Sequence, residues 1–397
     1  MSAKSTLRPR ALKAPRQIHS QRRTFCKSSQ WQAPVTGAAE AETQSARTYC
    51  TNLVSTYDRP SYILSAFIPR QAQTFYLALR ALNVSLSMIP DTTSSHTIGL
   101  MRLQFWRDTI TKTLAGSPPK EPVAILLANA IDDLSRRTDG RARLSKGWFL
   151  RMINAREQTL TNTPFSDLAA LESYAENTYS TLLYLTLSSL PLTSVTVDHV
   201  ASHIGKAAGI SAVLRGLPLV AFPGPAKHHT NQSSLLNSGG SENRQGAITL
   251  PLDIMSQSGV IEEEVFRKGA EAAGLKDAVF AVATRASDHL ITARQMLKNL
   301  REGQDVGHEF EYEGEEGHEY TSASSVTTAA EKEGLSPYEK QLAEVERGFG
   351  VLMPAVSTQL WLDKLQSYDF DIFNPKLLRG DWTMPWRAYY AHSRKSF

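Results

Sequence analysis

Apolar residues recur along this chain every three or four positions. Between Arg70 and Ile89 they fall at Phe75, Leu79, Leu82, Leu86 and Ile89, a spacing that puts one stripe on one face of a helix. Pro90 is expected to end that helix, since it has no amide hydrogen to continue the ladder. Ser94 or Ser95 can cap the next one, in which Ile98, Met101, Phe105 and Ile110 carry the same period up to Gly116 and the Pro118-Pro119 pair. Further helices are predicted over 122–137, 145–160, 166–190, 197–217, 262–274, 277–300 and 336–366. No stretch alternates with period two for long enough to form a strand. The expected fold class is therefore all-α, one large helical bundle.

Two stretches break the helical pattern. Residues 223–246 are polar and rich in Gly, Ser and Asn, the composition of a long loop between helices. Residues 301–335 carry an acidic run, HEFEYEGEEGHE, followed by a Ser/Thr/Ala stretch. His308 and His318 sit among those carboxylates, but no helical or turn register would hold them as metal ligands. A disordered, charge-solvated insertion is expected instead. The predicted organisation is an unfolded leader at 1–45, a helical domain at 55–300, the acidic insertion at 301–335, and a C-terminal helix and tail at 336–397 that complete the bundle.

Charge changes the picture at one end only. The 397 residues carry a formal net charge of +4, yet Lys4, Arg8, Arg10, Lys13, Arg16, Arg22, Arg23 and Lys27 all precede the first acid, Glu40. The remainder is net acidic, so no nucleic-acid footprint is present there. Residues 1–45, rich in Arg, Ser, Gln and Ala, have the composition of a mitochondrial transit peptide. The stretch Arg23-Thr24-Phe25-Cys26-Lys27-Ser28 resembles a matrix processing site. Cys26 and Cys50, the two cysteines, lie at or near that leader and can build neither a disulfide framework nor a zinc or iron–sulfur site from the chain's own thiolates. No uninterrupted apolar run is long enough to cross a bilayer, so membrane contact is expected to be peripheral.

The candidate chemistry comes from an ordered set of signals: Tyr76 to Arg80, Arg102 with Phe105-Trp106-Arg107, Tyr174 to Leu185, Gly205 to Arg215, and Leu250-Pro251. In this order they resemble the squalene/phytoene synthase family, whose members join two prenyl diphosphates inside an isoprenoid-synthase-type helical bundle. The resemblance implies aspartates one turn apart on two helices, because Mg²⁺ needs hard oxygen ligands to neutralise a departing diphosphate. Those positions fall here on Asn83, Val84 and Ser87, and on Ala212, Val213, Leu214, Arg215, Gly216, Leu219 and Val220. None is a carboxylate. Pro218 is further expected to stop the second helix short of Leu219. Asp91, the nearest spare acid, is expected in a turn beyond the first helix.

The expectation is thus a pseudoenzyme with no catalytic residue, no metal and no cofactor. Asn83, Ser87, Arg107, Arg215 and Gly216 remain as vestigial cavity positions. Trp106 and Phe105 are expected in the core or cavity wall, His203 as a hydrogen-bonded histidine, and Asp288-His289 without a nucleophile beside them. Strings such as 97–106 (TIGLMRLQFW), 201–207 (ASHIGKA) and the C-terminal Tyr368-Asp369-Phe370-Asp371-Ile372-Phe373 with Trp382 and Pro385-Trp386 are similar to one branch of that family, the mitochondrial assembly factors of respiratory complex I. That branch implies early complex I biogenesis at the matrix face of the inner membrane, with complex I subunits or assembly intermediates as partners. The alternatives are a prenyl-diphosphate transferase using another ligand set, with Arg107, Arg215, Lys206 or Arg244 on the phosphates, or a module that holds a prenyl or other lipid.

Overall fold

The computed structural model describes residues 35–223, 246–303 and 337–397, apart from residues 94, 141, 143, 191 and 193. Most of the leader, the processing stretch with Cys26, the loop with Arg244, the acidic run with His308 and His318, and Ser94 lie outside the described residues. By contacts the chain divides into Met1–Glu40 and Ala41–Phe397. Of the first unit only the start of a helix is described.

Every described element is helical. In order they are α1 (Val35–Tyr57), α2 (Arg59–Leu64), α3 (Arg70–Ser87), α4 (Ile89–Thr92), α5 (His96–Leu114), α6 (Pro122–Arg137), α7 (Lys146–Gln158) and α8 (Leu168–Ala175). A single π-helical turn, Glu176–Ser180, leads into α9 (Thr181–Ser188) and α10 (Val195–Ala221). Then come α11 (Leu252–Gln257), α12 (Glu262–Lys268), α13 (Leu275–Glu302), α14 (Pro337–Leu352), α15 (Pro354–Ser367) and α16 (Met384–Arg394). Caps explain several starts. Asp167 accepts from the Ala170 amide at 2.7 Å ahead of α8, and the Glu121 carboxylate accepts from Ala124 at 2.7 Å ahead of α6. Gly303, at φ +78°, closes α13 in the left-handed conformation that a residue without a Cβ adopts freely.

Helix α10 is the axis of the bundle. It packs against α8, the π turn, α9, α13, α14 and α15. It has the length and hydropathy of a membrane span, but a helix apolar on nearly all sides is also what the centre of a bundle requires. One apolar core surrounds it, with Ile204, Ile210, Leu214, Leu217, Val282, Leu290 and Phe349 fully buried. A second core joins α1, α3, α5, α6 and α7 through Leu79, Leu82, Leu103, Leu127, Phe149 and Met152.

Five local expectations need correction. Helix α1 begins at Val35, inside the stretch assigned to the leader, and Cys50 on it is wholly buried in the second core. Burial pushes the Cys50 thiol up to about 12, with Glu121 adding to the rise. Helix α3 ends at Ser87, and Pro90 opens the short α4 from its first turn, where its missing N–H costs nothing. On α5 the stripe Ile98, Met101, Phe105 is exposed, while Gly99, Leu103, Trp106, Ile110 and Thr113 face inward. Two apolar stripes share that helix, and on the inner one Gly99 lets the Leu160 side chain approach closely. Residues 336–366 split at Pro354 into α14 and α15.

Pro218, finally, does not end α10, which runs on to Ala221. Only one turn follows the proline, and tertiary contacts hold it. Leu217 and Ala221 are buried, the Phe222 amide donates to the Pro218 carbonyl at 3.2 Å, and the Ala247 amide donates to Val220 at 3.2 Å. This keeps Leu219 and Val220 on the helix.

Candidate functional site

The last turns of α3 and α10 meet the end of α7 and the π turn around a cavity of about 240 Å³. Ser87, Asp91, Arg156, Tyr174, Tyr179, Gly216, Leu219 and Val220 are among the residues that line it. The π turn shapes this wall. Helix α10 lies so close to it that a Cβ on Gly205 would overlap the backbone of Ser180, and Ser180 Oγ donates to the Ser202 carbonyl at 3.0 Å. A π turn adds one residue to a helix, which swings the side chains that follow it. Glu176 within the turn accepts from Tyr184 Oη at 2.6 Å and from Ser202 Oγ at 2.9 Å.

A cation lies beside Asn83 on the cavity wall. Arg156 Nη2 donates to Asn83 Oδ1 at 2.8 Å, with Asn83 only 5% exposed. The Arg156 guanidinium also lies 6.0 Å from the Tyr174 ring centroid, and its Nε is buried without a hydrogen-bond partner. Burial raises the Tyr179 hydroxyl above the usual phenol range, with Arg156 pulling the other way. A divalent cation about 5 Å from a fixed guanidinium would meet repulsion of several kcal/mol at an effective dielectric of about 20. Among the described residues no group of three or more His, Cys, Asp or Glu side chains is placed to hold a metal ion.

The five positions expected at the cavity part company. Ser87 and Gly216 line the cavity, and Asn83 lies beside it under Arg156. Arg107 and Arg215 do not line it. Arg107 is ion-paired with Glu157 and donates to Asn154 at 2.9 Å. Arg215 lies over the Trp361 ring of α15 at 5.4 Å, and burial lowers its pKa while Tyr179 and Asp58 oppose the fall. Of the other expected residues, Asp91 lines the cavity from α4, Trp106 is buried, Phe105 is exposed, and Lys206 is not on the wall. Sequence reasoning missed Arg156, because an arginine near the end of an amphipathic helix carries no motif.

His203 and His289 meet elsewhere, between α10 and α13. Their Nδ1 atoms lie 3.0 Å apart, and His289 Nε2 donates to Glu172 at 3.1 Å, so one imidazole donates to the other along a short relay. Glu172 is also paired with Arg285. Burial alone would raise the Glu172 carboxyl, but the hydrogen bonds and charges of His289 and Arg285 bring it down to about 2.

A sequence profile described as squalene/phytoene synthase matches residues 54–222 and 233–306, more than half of the chain. The chain belongs to the squalene/phytoene synthase family. Within that family it is 32% identical over 349 residues to a Bos taurus protein named NADH dehydrogenase (ubiquinone) complex I, assembly factor 6, covering 88% of this chain and 82% of the other. The Homo sapiens protein of that name is 30% identical over the same coverage. A Dictyostelium discoideum homolog is 28% identical over 61% of this chain and 60% of its own length. Among solved structures, a dehydrosqualene synthase in complex with ligand superposes with a TM-score of 0.60 at 12% identity, covering 90% of this chain and 99% of that one. Squalene synthase HpnC from Alicyclobacillus acidocaldarius gives 0.53 at 12% identity, over 83% and 96%. At that identity the likeness establishes the shared helical fold alone.

Proposed function

We propose that this chain is a non-catalytic factor for assembly of mitochondrial respiratory complex I, acting early in its biogenesis from the matrix side of the inner membrane. The observation that carries the reading is an alignment spanning 88% of this chain with proteins named as complex I assembly factors. The cavity supports the non-catalytic part: Asn83 accepts from Arg156 where the family resemblance calls for a metal-binding acid. At about 240 Å³ the cavity is also smaller than the roughly 300–1,000 Å³ of ordinary small-molecule sites. The test is deletion of the gene followed by native gels of the respiratory complexes. Loss of mature complex I with accumulated intermediates is expected, and normal complex I would refute the assembly role. Purified protein should show no Mg²⁺-dependent turnover of farnesyl diphosphate; saturable turnover would refute the non-catalytic reading.

A second reading, a prenyl or other lipid ligand with an anionic head, draws support from the buried, unpartnered Nε of Arg156 on the cavity wall. Mass spectrometry of lipid that co-purifies with the protein tests it.

A further inference from the structure

The C-terminal helix turns its aromatic residues outward. On α16 Met384 and Ala388 face the bundle, while Trp386, Tyr389 and Tyr390 are exposed, at spacings of three and four that put them on one outer face. Trp386 is 65% exposed, and Trp382, one turn ahead of it, is 80% exposed. This is the reverse of the usual pattern, in which the large apolar side chains of a surface helix point inward. The helix is nonetheless well anchored. His392 packs on Phe67 with ring centroids 5.2 Å apart, Lys395 lies 5.5 Å over the Phe349 ring, and Arg301 donates to the Lys395 carbonyl. The outward face therefore belongs to the folded bundle.

Charge identifies what would cover it. From Pro375 to Phe397 the side chains are Lys376, Arg379, Arg387, Arg394 and Lys395 against one acid, Asp381, a net of +4. From Glu40 to Asn374 there are 30 basic and 38 acidic residues, a net of −8. Asp381 is occupied locally, accepting from the Thr383 amide at 2.8 Å and its hydroxyl at 2.7 Å. Arg387 and Arg394 flank the aromatic face and, with Tyr390, line a groove of about 310 Å³ between α15 and α16. Trp and Tyr prefer the headgroup level of a bilayer, where the ring is shielded and the N–H or O–H stays hydrated, and basic side chains beside them meet lipid phosphates.

We propose that α16 and the turn before it form an interfacial docking surface for an anionic phospholipid bilayer, with Trp382, Trp386, Tyr389 and Tyr390 at headgroup depth and Arg387 and Arg394 on the phosphates. The proposal deepens, and rests on, the reading of the protein as a peripheral inner-membrane factor. It names the surface and the lipid charge that reading leaves open.

Flotation of the purified full chain with vesicles tests it, using phosphatidylcholine alone or mixed with phosphatidylglycerol. Partition should be at least about tenfold stronger onto the anionic vesicles and should fall as salt rises. Trp382→Ala with Trp386→Ala should weaken partition about tenfold or more. Arg387→Ala with Arg394→Ala should weaken it about 25-fold, roughly fivefold for each charge, on anionic vesicles only. Thermal unfolding should be unchanged in both variants, since all four residues are exposed. Wild-type protein that ignores vesicles, or variants that partition like wild type, would overturn the proposal. So would a vesicle-free dimer that the tryptophan variant dissolves, which would assign the face to a second copy. Failure of the assembly reading is distinguishable, because it shows as normal complex I in the deletion strain while vesicle partition is untouched.

Discussion

Gly205→Ala places two effects of similar size in opposition. In a helix interior Ala is worth about 1 kcal/mol more than Gly, so propensity alone predicts stabilisation. The new Cβ, however, would overlap the N, Cα and Oγ atoms of Ser180 in the π turn, and two of those three are backbone. Overpacking against backbone costs about 1–3 kcal/mol, and displacing Ser180 Oγ from the Ser202 carbonyl costs about 1 kcal/mol more. The net expectation is a loss of about 1–3 kcal/mol, or roughly 1–4 °C in Tm for a chain of this size. Gly216 provides the control on the same helix, since a Cβ there meets nothing within 4 Å. Gly216→Ala should stabilise by about 0.5–1 kcal/mol through the same propensity term. Urea unfolding followed by circular dichroism measures both. Stabilisation by both substitutions would refute the close, backbone-limited packing of α10 on the π turn, and with it the account of how that wall of the cavity is held.

Asp198, on α10, has its carboxyl raised to about 7, first by burial and then by Glu344. The folded chain then holds a proton that the unfolded chain releases near pH 4, so this site lowers stability as pH rises from about 4 to 7. Asp198→Asn should add about 1–3 kcal/mol at pH 8 and little at pH 4, read from Tm across that range; an equal gain at both ends would contradict the sign. Asn83→Asp with Ser87→Asp should give no Mg²⁺-dependent rise in Tm, because Arg156, now donating to Asn83, would pair with the new carboxylate there. A clear Mg²⁺-dependent rise would show that the cavity still accepts the ion.

The fold class was legible because it depends on local periodicity. The stripe from Phe75 to Leu86 is buried as its spacing implies, and the family follows from ordered strings such as Gly205 to Arg215. Facing direction was less legible. Ile98, Met101 and Phe105 have the same period as Leu103, Trp106 and Ile110, and only the neighbouring helices decide which stripe is covered. The arginines were legible as residue types and illegible as partners. Arg107 meets Glu157, Arg215 meets Trp361, and Arg156, 73 positions away from Asn83, takes the place beside the cavity.

By itself the sequence determined an all-helical bundle of the squalene/phytoene synthase family, with the neutral residues Asn83 and Ser87 one turn apart on α3. Those are properties of residue identity and short-range spacing. The tertiary structure decided that Pro218 leaves α10 intact, that a guanidinium lies beside the cavity at Asn83, and that α16 turns Trp386, Tyr389 and Tyr390 away from the core. Each depends on groups far apart in the chain meeting in space, which no local pattern encodes.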